Sequence, residues 1–104
     1  MSAADEIRDL LFAECWRLDR AMAGTKHVCT NAIIELDDSG TRAEVRSYFL
    51  AQQQFDDFPL QPVAAGRYHD VVELHDDAWE FVNREALVDF VGDVSRYHQS
   101  GVDA

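Results

Sequence analysis

At His27 the hydrophobic period of this 104-residue chain changes. Before it, Ile7, Leu10, Leu11, Cys15, Leu18 and Met22 recur at steps of three or four, which places one apolar stripe along a helix. After it, apolar and polar residues alternate, the period of a half-buried strand. A helix followed only by strands restricts the chain to the α+β class.

The spacing predicts a helix over residues 4–22, with Asp5, Glu6 and Asp9 at its positive end and Gly24 as a stop signal. A strand opens in Thr25-Lys26-His27-Val28-Cys29-Thr30-Asn31 and runs to about Leu36. Strict alternation puts His27, Cys29, Asn31 and Ile33 on one face, and Val28, Thr30, Ala32, Ile34 and Leu36 on the other. Asp37-Asp38-Ser39-Gly40 is a turn. A second strand covers about 41–54, with Ala43, Val45, Ser47, Phe49 and Ala51 on one face. Residues 55–61 read as a loop, because Pro59 has no N–H to give to a central strand. A third strand follows over 64–75, a turn at Asp76-Asp77, and a fourth strand over about 79–90. Leu87, Phe90, Val91, Val94 and Tyr97 also fit a helical period. The alternation of Trp79-Glu80-Phe81-Val82 favours a strand to about residue 90, with a helical turn over 93–98. The result is one helix and a four-stranded antiparallel meander in one domain, residues 1–104.

Twenty acidic residues against nine basic ones give a formal charge of −11. That balance argues against binding nucleic acid or an anionic membrane, since both need a positive footprint. No apolar run is long enough to span a bilayer as a helix. Cys15 and Cys29 form no metal or redox motif; they allow one disulfide. The start of the chain does not read as a signal peptide, so reduced thiols and a cytoplasmic location are the expectation. His69, Glu73 and His75 share a strand face, but His69 to His75 spans about 20 Å, too far for one metal ion. The paired aspartates lack the spacing of a calcium loop, and no phosphate loop, dinucleotide fingerprint or nucleophile elbow occurs.

Six strings in order carry a family resemblance: His27-x-x-Thr30-Asn31, the Asp-Asp-Ser-Gly turn, Ser47-Tyr48, Gly66-Arg67-Tyr68-x-Asp70, Asp77-x-Trp79 with Arg84, and Asp89-Phe90-x-Gly92-Asp93-x-Ser95-Arg96. With the helix Ile7-Arg8-Asp9-Leu10-Leu11 through Leu18-Asp19-Arg20, the chain resembles the SnoaL-like family of the nuclear transport factor 2-like superfamily. The resemblance implies a curved sheet wrapped against helices, a cone-like (cystatin-like) fold with a pocket inside. It also implies cofactor-independent lyase or isomerase chemistry of the dehydratase kind on a hydrophobic cyclic molecule. The pair that would carry it falls on Asp19 and His27. The family places several dozen residues between those positions; here only Arg20 to Lys26 intervene. Either the cone is reduced or another chain completes it.

His27 suits proton transfer, because imidazole titrates at about 6.5 in water. A carboxylate beside it would fix its tautomer and stabilise the imidazolium. A lone strand histidine is more often structural, and Asp19 can equally pair with Arg17 or Arg20. Asp19 stands at the negative end of its helix, where its charge is disfavoured. The resemblance gives Arg84, Tyr48 and Tyr68 as substrate-binding groups; otherwise Arg84 is a surface ion pair and the tyrosines are packing residues. Trp16, Phe49, Trp79 and Phe81 read as core or pocket wall. The alternative function is a non-catalytic module that binds a ligand or partner through the sheet, as the small subunits of ring-hydroxylating dioxygenases do. A reduced cone should leave apolar sheet uncovered, so a homo-oligomer packed through the sheet is expected.

Overall fold

The structure, a computed structural model, describes residues 1–95. Helix α1 spans Ala3–Ala21. Its start is set by a capping box: Ser2 Oγ accepts from the Asp5 N–H at 3.1 Å, and the Asp5 carboxylate accepts from the Ser2 N–H at 3.4 Å. Its end is set by Gly24, at φ +75°, whose carbonyl accepts the Gln54 N–H at 2.9 Å. A Cβ at Gly24 would lie 2.5 Å from the Gln54 carbonyl oxygen, so only glycine lets the chain turn this close to the sheet.

Four strands follow: β1 Thr25–Leu36, β2 Arg42–Phe55, β3 Phe58–His75 and β4 Ala78–Val91. They form one antiparallel sheet in the order β1-β2-β3-β4. The expected α+β meander is therefore observed. Asp76 and Asp77 both take positive φ (51° and 67°), the conformation that a two-residue hairpin turn requires. The helical turn expected over 93–98 extends outside the described residues.

Two expectations about the strands are corrected. Residues 55–61 are not a long loop, since β3 begins at Phe58 after only Asp56-Asp57. Pro59 is tolerated because, among the described residues, β4 pairs with β3 only from Ala64 onward and the strand at Pro59 has β2 on one side alone. Strict alternation along β1 also fails. Thr30 pairs with Tyr48 but Ile33 with Arg46, so one extra residue bulges out around Asn31, at φ 56°. The bulge reverses the phase. His27 and Cys29 share the inner face with Ala32 and Ile34, while Val28, Thr30 and Ile33 face outward.

The core lies between α1 and this inner face. Ile7, Leu11 and Cys15 of the helix pack on Cys29, Ala43, Val45, Val72 and Trp79. The helix covers only part of the sheet. Val88 and Val91 pair with Gly66 and Ala64 on the inner face yet remain exposed. Trp16, read as core or wall, is 66% exposed, on a side of the helix that none of the described residues covers.

Candidate active site

The link from α1 to β1 is only Met22-Ala23-Gly24, so the helix C-terminus folds directly back onto the first strand. Asp19 and His27 meet there. Asp19 Oδ1 lies 2.8 Å from His27 Nδ1 and also accepts the His27 backbone N–H at 2.7 Å. One carboxylate oxygen thus holds both the strand and the ring, and both side chains are largely buried. With the proton on Nδ1, Nε2 keeps the lone pair that a general base uses.

Arg84 is not the surface ion pair of the simpler reading. It is paired across the sheet with Asp70, Nε to Oδ1 at 3.2 Å, and Asp70 has no exposed surface. The two make an ion pair without an aligned hydrogen bond. The Arg84 guanidinium sits 3.7 Å from the centroid of the Tyr68 ring and 4.7 Å from that of Phe81. Tyr68 stacks on Phe49 with centroids 4.6 Å apart. Simple alternation placed Arg84 beside Val82 and Ala86. A bulge at Val82 instead sets Phe81, Arg84 and Ala86 on one face.

Tyr48 does not belong with these groups. It pairs with Thr30, on the outer face, with its ring half exposed. His27, Tyr68 and Arg84 share the inner face. His27 is level with Ala51 and Arg84 with Val45, which sets them about 20 Å apart along the strand direction, with β2 and β3 between them. Phe49, Tyr68 and the Arg84 guanidinium form a stack on this face, with Tyr68 in the middle. Asp70 escaped the sequence reading as a site residue, although it stands in the Gly66-Arg67-Tyr68-x-Asp70 string and falls two positions after Tyr68 in a strand whose inner face is otherwise apolar. Ser47, beside Tyr68 on β2, is buried as well, and its hydroxyl has no hydrogen-bond partner among the described residues. A cavity of about 630 Å³ lies on the outer face, lined by Ile33, Arg46, Tyr48, Arg67, His69 and Leu87. A second, of about 530 Å³, borders Asp19 together with Trp16, Arg20, Lys26, Phe55 and Leu60. Neither takes in His27. Among the described residues, no three His, Cys, Asp or Glu side chains are grouped to hold a metal ion, and no helix is long and apolar enough to cross a membrane.

The family model of the SnoaL-like domain matches residues 1–85. The chain belongs to the SnoaL-like family. Among solved structures, a candidate scytalone dehydratase from Novosphingobium aromaticivorans is 33% identical, with a TM-score of 0.57, over 66% of this chain and 46% of that one. The beta subunit of a candidate aromatic-ring-hydroxylating dioxygenase from the same organism shares the fold at 19% identity and a TM-score of 0.58, over 76% and 52% of the two chains. A protein from Kribbella flavida does so at 17% identity and a TM-score of 0.60, over 80% and 56%. The SnoaL-like chain thus spans about half the length of these relatives. No curated protein matches it.

Burial pushes the Asp70 carboxyl up to about 6, against the opposing pull of Arg84 and, more weakly, His69. A carboxyl raised on folding stabilises the fold fully below its ordinary pKa of 3.8 and loses that contribution as pH rises through about 6. Between about pH 4 and pH 7.5 the wild type should therefore lose on the order of 2–3 kcal/mol relative to Asp70→Asn. Urea unfolding of both proteins at the two pH values measures this directly; parallel pH profiles would contradict it.

Proposed function

We propose that this SnoaL-like chain carries out cofactor-independent proton transfer on a hydrophobic cyclic molecule, as a lyase or isomerase of the dehydratase kind. The observation that carries this reading is the 2.8 Å contact between His27 Nδ1 and Asp19 Oδ1. His27 Nε2 takes a proton from the carbon next to the leaving group, and the imidazolium is held by Asp19. The leaving group departs with the electron pair of its bond as the ring gains a double bond. Phe49 and Tyr68 supply apolar wall on the inner face, and Arg84, stacked on Tyr68, can bind a substrate oxygen. The likeness to a candidate scytalone dehydratase supports the same class. The test is elimination of water from a panel of cyclic β-hydroxyketones, followed by ultraviolet absorbance of the conjugated product. Wild-type turnover that falls in His27→Gln and in Asp19→Asn is expected. Turnover indifferent to both changes would remove the dyad from the mechanism.

A second reading is favoured by the outer face of the sheet, where Val28, Ile33, Tyr48 and Leu87 are exposed together. A patch of this kind serves association, and the likeness to a dioxygenase beta subunit points the same way. On this reading the chain is a homo-oligomer packed through that face. Sedimentation velocity at micromolar concentration should give a dimer or larger, and Tyr48→Glu should return it to the monomer. A monomeric wild type contradicts the reading.

A further inference from the structure

Behind the Asp19–His27 contact lies a second pair whose chemistry the proposed function leaves unused. Cys15 is one helical turn before Asp19, about 6 Å back along α1 and on the same side. Cys29 is two residues beyond His27, about 6.5 Å along β1 and on the same face. Because the chain reverses through Met22-Ala23-Gly24, the two displacements run the same way in space. If residues 19 and 27 touch, residues 15 and 29 are carried opposite each other.

The packing agrees with this geometry. Both thiols are less than a tenth exposed and belong to the same core cluster, with the helix held to the strand by the Asp19 carboxylate on the His27 N–H. Both are free thiols in this structure. Burial first, and Cys29 second, push the Cys15 thiol up to about 11.

We propose that Cys15 and Cys29 form a reversible disulfide that staples α1 to β1 one turn behind the Asp19–His27 contact. The oxidant is a low-molecular-weight disulfide of the glutathione type. One cysteine thiolate attacks its sulfur–sulfur bond and releases the first small thiol. The second cysteine thiolate then attacks the mixed disulfide and releases the second small thiol. Two protein thiols are oxidised, one small disulfide is reduced to two thiols, and the two protons pass to the released thiolates. Oxidation would fix the helix end that carries Asp19 to the strand that carries His27.

The experiment equilibrates the full chain with glutathione and glutathione disulfide from both directions, once under native conditions and once in unfolding urea. Intact mass and peptide mapping count the Cys15–Cys29 bridge, the mixed adducts and the free thiols. If the fold holds the sulfurs together, the equilibrium constant for the bridge is at least about tenfold larger in the native chain than in urea. By linkage the bridged chain then unfolds at higher urea than the reduced one. Cys29→Ser should leave only single glutathione adducts. A native constant equal to or below the unfolded one would overturn the proposal, because the fold would then hold the sulfurs apart. The outcome does not depend on turnover: the bridge can form in a chain with no activity, and the dyad can act in a chain that never forms the bridge.

Discussion

Gly66→Ala is expected to destabilise the fold by roughly 3 kcal/mol, a large share of the total for a chain of this size. A Cβ built on Gly66 lies 2.1 Å from the Leu87 carbonyl oxygen and 2.9 Å from Phe49 Cε2. The first clash is with backbone across the β3–β4 pairing, at the register shift between Ala65 and Gly66, and a side-chain rotamer cannot relieve it. The second pushes on the ring that stacks with Tyr68. The Phe49–Tyr68–Arg84 stack would move together with the strand. Gly40 makes the control. None of the described residues lies within 4 Å of its would-be Cβ, but it sits at φ +70°, so Gly40→Ala should cost only about 1 kcal/mol from backbone strain. Urea midpoints for the two variants measure the difference. A Gly66→Ala protein within about 0.5 kcal/mol of wild type would mean that β3 and β4 can separate freely at this point.

That prediction rests on a feature that periodicity does not carry. The helix was legible because Ile7, Leu11 and Cys15 repeat with the helical step, and the same residues are its buried stripe. The meander was legible because short turn clusters separate alternating segments. The faces were legible only up to the first bulge. An extra residue at Asn31 changes no composition and no motif, yet it moves Ile33 from the inner face to the outer one. The bulge at Val82 does the same on β4, which is why the place of Arg84 beside Asp70 had to come from the register. Tyr48 shows the opposite failure. Resemblance gave it to the pocket, although alternation along β2 already set it opposite Ser47 and Phe49, and the pairing confirms the alternation. Pairing across strands is not local, so motifs name candidates while the register decides which of them meet.

The Asp19–His27 contact is where that logic meets chemistry, and its removal is the other large effect. His27→Gln should lower kcat on a competent cyclic substrate by about 10²- to 10⁴-fold, the usual worth of a positioned general base. Asp19→Asn is the more informative change. Asp19 Oδ1 accepts from the His27 backbone N–H and contacts Nδ1. An asparagine oxygen can still accept both, so the helix should stay docked while the charge that stabilises an imidazolium is lost. The expectation is a kcat reduced by about 10²-fold or more with a nearly unchanged KM, and a urea midpoint close to wild type. Asp19→Ala, which also removes the acceptor from the strand N–H, should in addition lose about 1–2 kcal/mol of stability. If the dyad acts as a unit, the double variant His27→Gln with Asp19→Asn will be little slower than His27→Gln alone. Fully multiplicative losses would instead mean that the two residues act separately, with Asp19 serving the fold and His27 the substrate.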